Sequence, residues 1–179
     1  FRRIESQCDS IAAVAKAMRE PENKAAILAE ESLPADPNNL FDGMSDMIGV
    51  MLHRLYAIGD PPDYEPTPDR SVQAIAEARG VPGIEAAYDL FAEGDGTNML
   101  MMPIFNYVDG NHDVIREMIT HPYCVSGLSD GGAHCGMICD ASIPTFLLTR
   151  WARDRSRGDK LDLEWVVKKQ SKATADLFG

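Results

Sequence analysis

The sequence predicts an α/β fold with a parallel sheet, because short apolar runs alternate with helical patterns in its second half. The two runs are Met99–Phe105 and Tyr123–Leu128. Neither run alternates polar and apolar residues, which is typical of strands buried on both faces of a parallel sheet. Pro103 limits the first strand, since proline cannot donate to a sheet ladder. Helical periodicity separates the runs and follows them, as in βαβ units.

The first half of the chain predicts helices, a loop and then extended structure. Residues 1–32 have the apolar spacing of amphipathic helix, and Pro21 restarts the chain in a second helix. Residues 33–47 are rich in proline, glycine, Asp and Asn, and they predict a loop. Residues 48–58 suit one or two strands, with a helix as the alternative.

Two helices are predicted between this segment and the first apolar run. Thr67 is the expected cap of the first, Pro68 takes its first position, and Gly80 ends it. Pro82 opens the second helix, and the turn at 94–96 ends it. We expect one face of the second helix to be buried. That face consists of Ile84, Ala87, Tyr88 and Phe91.

Three further helices complete the predicted order. One covers about 111–120 and lies between the two apolar runs. Another covers about 142–155, and the last continues from a cap at Asp162 to Leu177.

Composition and charge restrict the classes of function. The net charge is −11, which repels nucleic acid and anionic lipid, so we predict neither as a partner. No apolar run approaches the roughly 20 residues of a membrane helix, and no signal peptide is visible. The four cysteines form neither a disulfide framework nor a paired zinc pattern. We therefore predict a cytoplasmic protein with reduced thiols, in which Cys124 is a small buried hydrophobe.

The segment after the second apolar run is the first candidate site. Asp130 follows the predicted strand directly, and glycines at 131 and 132 leave room for a ligand beside the backbone. Function in parallel α/β folds gathers where strands end. A carboxylate there can bind a metal or carry a proton, and His134 can assist. The alternative is a turn in which Asp130 caps the next element.

A second candidate site follows the first apolar run. Asn106 and Tyr107 offer hydrogen-bond donors to a bound substrate. In the alternative interpretation, the aromatic ring packs in the rim of the fold and the asparagine makes a turn.

Four strings in this order resemble the amidohydrolase superfamily, and most of all its N-acyl-D-amino-acid deacylases, or D-aminoacylases. The strings are Gly59–Pro66, Phe105–Tyr107, Gly127–His134 and Cys139–Ser142. The resemblance covers most of the chain and is densest over residues 55–179.

The resemblance implies a TIM barrel that carries one or two zinc-type metal ions and hydrolyses amide bonds. In that family a metal-bound hydroxide attacks the carbonyl, and an Asp after the last barrel strand takes the proton and returns it. Asp130 matches this residue, so it is the expected general base, then general acid, and a metal ligand in the full-length protein. The expected contacts to a small-molecule substrate are Asn106, Tyr107, Ser129, Gly131, Gly132 and His134.

The chain also departs from the family pattern. It contains no His-x-His pair, and its histidines do not occupy the positions of the family's later ligands. A whole barrel needs roughly 250 residues. We therefore expect a C-terminal fragment, with a helical and loop-rich insertion at 1–66 and the last part of a (β/α)8 barrel at 67–179.

Such a fragment is expected to bind no catalytic metal and to be inactive alone. Its exposed strand edges predict a homo-oligomer. Two alternatives stay open: another amidohydrolase reaction, on a cyclic amide or carbamoyl substrate, and a non-enzymatic binding module.

Overall fold

The computed structural model describes residues 2–31, 49–127, 129, 131 and 140–179. This part of the chain is mostly helical, and its sheet consists of two short strands. The chain divides into two compact units, residues 1–110 and 111–179. The predicted boundary between residues 66 and 67 falls inside the first unit. No helix of the described residues is long and apolar enough to cross a membrane.

The described residues of the first unit form α-helices, 3-10 turns and both strands. Pro21 restarts the chain between the second and third helices, as predicted. In chain order, the elements are α1 Arg2–Glu5, α2 Ile11–Met18, α3 Pro21–Leu28, a turn at Leu52–Arg54, β1 Tyr56–Ala57, a turn at Pro68–Arg70, α4 Val72–Arg79, α5 Gly83–Ala92 and β2 Leu100–Met101.

Among the described residues of the second unit, the regular secondary structure is helical. α6 is Asp113–Thr120, and it lies where the sequence predicted a helix. A 3-10 turn at Asp140–Ser142 leads into α7, Ile143–Phe146, which continues as a π-helical segment, Leu147–Asp154. The predicted last helix is divided at Ser171, where ψ is −83°, into α8 Leu163–Gln170 and α9 Lys172–Phe178.

The predicted parallel sheet is wrong for the described residues, because β1 and β2 pair antiparallel. Tyr56 lies opposite Met101, and Ala57 lies opposite Leu100. The strand expected over Met99–Phe105 is only two residues long, Leu100–Met101. Pro103 follows directly, and it has no N–H with which to extend the ladder.

The second predicted strand is also wrong over its described part. Residues 123–127 form no strand, and Tyr123 is 92% exposed. The carbonyls of His121 and Cys124 accept hydrogen bonds from the Lys169 ammonium of α8 instead of from a neighbouring strand. Cys124 is exposed, so the prediction of a buried thiol is a further error.

The core of the first unit lies between α4, α5 and the turn before β1. Its buried residues are Leu52, Leu55, Val72, Ala76, Ala86, Ala87 and Leu90. The predicted buried face of α5 is confirmed at Ala87, whereas Ile84 and Phe91 are exposed. Ala86 and Leu90 are buried in the core instead.

Helices α2 and α3 attach to α5 through polar contacts. Arg19 donates to the carbonyls of Ala92 and Gly94 at 2.6 Å each. The Ala92 carbonyl is one of the acceptors that the end of a helix leaves without an intrahelical donor. Lys24 Nζ lies 2.7 Å from Asp89 and 2.8 Å from Glu85. These two carboxylates, Asp89 first, raise the pKa of Lys24.

Helix α4 begins one turn later than predicted, at a different cap. Ser71 Oγ accepts from the Ala74 N–H at 3.2 Å, whereas Thr67 makes no capping hydrogen bond. Gly80 ends the helix in the left-handed conformation, with φ 68° and ψ 33°, as the sequence indicated.

Removing the observed cap is expected to destabilise the first unit. Ser71→Ala takes the acceptor from the first turn of α4, so the free energy of unfolding should fall by about 1 kcal/mol. Thr67→Ala is the matched control, and it should change stability by less than about 0.5 kcal/mol. Urea denaturation followed by circular dichroism measures both. Equal losses in the two variants would contradict the assignment of the cap.

Candidate functional site

The residues after β2 form a sharp corner that exposes Asn106. Its backbone has φ 56°, and it is the one non-glycine residue with positive φ in the described part of the chain. Asparagine tolerates the left-handed conformation better than most residues, so this side chain suits a tight corner. The alternative interpretation, which predicted a turn at Asn106, is therefore confirmed at this residue. The Asn106 side chain lies at the surface.

Tyr107 anchors this corner from the inside. Its side chain is 4% exposed, and its hydroxyl donates to the Pro66 carbonyl at 2.6 Å. Its ring meets Tyr56 of β1 edge to face, with centroids 6.2 Å apart and planes at 84°. This arrangement is favourable for aromatic pairs. The ring thus packs between the corner and β1, and Asn106 rather than Tyr107 faces solvent.

The Pro66 carbonyl is itself held in place by the preceding loop. The Asp63 N–H donates to the Ile58 carbonyl at 2.7 Å, and Asp63 Oδ1 accepts from the Glu65 N–H at 3.0 Å. Asp63 Oδ2 lies 2.5 Å from Nη1 of Arg70. One aspartate therefore ties the loop to the end of β1 and to the turn before α4, so that Tyr107 has a fixed acceptor.

Glu65 is the residue of this loop that the sequence did not single out. It is 1% exposed, although it lies in a proline-rich loop. Glu65 therefore lies in the interior of the corner. Burial of a carboxylate is costly unless polar groups surround it. A charged residue between Tyr64 and Pro66 carries no signal of burial in a single sequence, and only the folded loop reveals it.

The glycine-rich string is described at two positions only. Ser129 is half-buried, and Gly131 is exposed. A Cβ at Gly131 would lie 3.0 Å from Cβ of Ala141, so glycine permits a close approach of these two backbone segments. The predicted residues Asp130, Gly132 and His134 lie outside the described residues, as do Cys135 and Cys139.

The candidate residues fall in both units. Asn106 and Tyr107 belong to the first, and Ser129 and Gly131 belong to the second. Within the first unit, the structure brings together two of the four strings on which the resemblance depends. Tyr107 of one string contacts Pro66 of the other, forty-one residues earlier.

The described residues do not themselves form a metal site. Across 2–31, 49–127, 129, 131 and 140–179, no three His, Cys, Asp or Glu side chains lie close enough together to hold an ion.

The chain matches no protein-family model, no curated protein and no solved structure.

Proposed function

We propose that this chain is the C-terminal part of an amidohydrolase that removes the acyl group from N-acyl-D-amino acids, and that it is inactive without the rest of the enzyme. The four ordered strings support this proposal. The observation that carries it is the contact between Tyr107 and Pro66, which packs two of those strings into one corner with an exposed amide.

The proposal gives the described residues distinct roles. Asn106 offers an amide that donates to a substrate carboxylate or carbonyl and accepts from a substrate N–H. Ser129 and Gly131 flank Asp130, and they are proposed to contact the substrate beside it, together with Gly132 and His134.

Asp130 is proposed to carry the proton. Its carboxylate accepts a proton from the attacking water while the C–O bond forms at the substrate carbonyl. The resulting carboxylic acid then donates that proton to the amide nitrogen as the C–N bond breaks. The first products are a carboxylic acid and the amine of a D-amino acid, and Asp130 returns to its starting state. The acid then loses its own proton to the amine, which gives a carboxylate and an ammonium group.

The test uses the full-length protein that contains this chain. We expect it to hydrolyse N-acetyl-D-amino acids at least tenfold faster than the L enantiomers, with a divalent metal bound to the purified enzyme. The 179-residue chain is assayed in parallel and should be inactive. A panel of cyclic amides and carbamoyl amino acids is included, and preference for these substrates would favour the alternative reaction. Absence of all amide hydrolysis by the full-length protein would favour a binding module and refute the proposal.

A further inference from the structure

We propose that Tyr107 is a positioning residue, whose hydroxyl holds the Asn106 amide in the orientation that receives the substrate. This inference rests on the proposed function for the identity of the substrate. It differs from the expectation that Tyr107 touches the substrate itself.

The first step is the placement of the hydroxyl. Tyr107 is 4% exposed and its ring packs against Tyr56, so its polar atom lies in the interior. At 2.6 Å, the bond to the Pro66 carbonyl is short for a bond between neutral oxygens, and its acceptor is fixed by the loop that Asp63 organises. The hydroxyl therefore binds the protein's own backbone and does not face solvent.

The second step is the link to Asn106. The two residues are adjacent, and Asn106 has the left-handed φ of 56°, which few side chains adopt without strain. Such a conformation persists where the surroundings hold it. Gly110 closes the same corner with φ 64°, and a Cβ there would lie 3.0 Å from Cγ of Pro68. Both ends of the corner therefore contact the Pro66–Pro68 segment, Tyr107 at Pro66 and Gly110 at Pro68.

The third step is the consequence for binding. A surface amide contributes most to affinity when its orientation is set before the substrate arrives, because ordering it later costs free energy. Loss of the anchor should therefore weaken substrate binding and leave the bond-breaking step unaffected. This pattern distinguishes a positioning residue from one that acts in the chemistry.

The experiment compares Tyr107→Phe, Asn106→Gly and the double variant in the full-length protein. Tyr107→Phe keeps the ring and removes the hydroxyl, and it should raise KM about fivefold while kcat stays within about twofold. Asn106→Gly accepts the positive φ and removes the amide. In that background, Tyr107→Phe should raise KM no further. Tyr123→Phe, which changes an exposed tyrosine, is the matched control and should leave KM unchanged.

Hydrogen exchange of the backbone amides in 105–110 supplies a readout that does not depend on catalysis. Tyr107→Phe should accelerate exchange there at least tenfold, whereas exchange in α4 should change little. Unchanged exchange or unchanged KM in Tyr107→Phe would overturn the proposal, as would additive KM effects in the double variant. If the wild-type protein hydrolyses no amide, the proposed function fails, and the exchange measurement alone then decides whether Tyr107 anchors the corner.

Discussion

Asp130→Asn is expected to lower kcat/KM of the full-length protein by a factor of about 100 to 10,000, which is the usual contribution of a general acid–base group. Asparagine has nearly the same shape as aspartate, but its amide cannot accept the proton of the attacking water. The loss should appear in kcat, because the proton is transferred to Asp130 only in the transition state of the chemical step. The measurement is steady-state hydrolysis of an N-acetyl-D-amino acid across the pH range.

Asp162→Asn is the matched control for this prediction. Asp162 is exposed, belongs to the same unit and makes no capping hydrogen bond, so its replacement should leave activity unchanged. Bound metal is measured in both variants, because the resemblance implies that Asp130 is also a metal ligand. An Asp130→Asn enzyme that retains full activity would show that Asp130 has no part in the chemistry.

Arg155→Ala is expected to produce the largest loss of stability, with a decrease of roughly 3 kcal/mol in the free energy of unfolding of the second unit. The Arg155 side chain is 0% exposed and its guanidinium carbon lies 5.1 Å from the centre of the Trp151 ring. The guanidinium donates to the Asp159 carbonyl at 3.0 Å and pairs with Asp113 at 2.5 Å. Truncation removes these interactions together and leaves a cavity beside the core residue Trp151.

The two halves of this ion pair should respond very differently. Asp113 is 67% exposed, so in Asp113→Asn the pair loses little, and the expected decrease is below about 1 kcal/mol. Arg153 is exposed and pairs with its neighbour Asp154, so Arg153→Ala is the control for loss of an arginine and should cost less than about 0.5 kcal/mol.

Urea denaturation followed by tryptophan fluorescence measures these three variants. Both tryptophans of the chain, Trp151 and Trp165, belong to the second unit, so the fluorescence signal comes from that unit. Equal losses in Arg155→Ala and Arg153→Ala would contradict the idea that burial gives Arg155 its importance. The packing around this ion pair also explains why residue 158 is a glycine. A Cβ there would lie 2.7 Å from Nη2 of Arg155 and 2.8 Å from Oδ1 of Asp113.

Among the candidate site residues, local sequence was most informative at Asn106. A short polar residue directly after an apolar run is typical of a turn, and the structure has that turn with φ 56°. The position of Tyr107 was open between a substrate contact and a packed ring. Its burial depends on Tyr56 and Pro66, which are distant in sequence, so periodicity and spacing contain no information about it.

The sequence by itself determined several of the helix ends, because capping signals act within one turn of the chain. Pro21 restarts a helix, Gly80 ends one, and the residue after Asp162 begins another. The cap at Ser71 was missed since Pro68 and Asp69 form an equally good local start, and the pairing of Tyr56 with Ser71 favours the later one.

Tertiary structure alone decided the strands, the buried faces and the buried charges. An apolar run becomes a strand only where a partner lies alongside, and β2 has a partner over two residues, in the antiparallel direction. Residues 123–127 contact a lysine instead. Glu65 and Arg155 are charged residues in the interior, and their burial depends on groups that meet only in the folded chain. Local signals therefore set several of the helix ends, whereas long-range contacts determined the strands and formed the corner that carries Asn106.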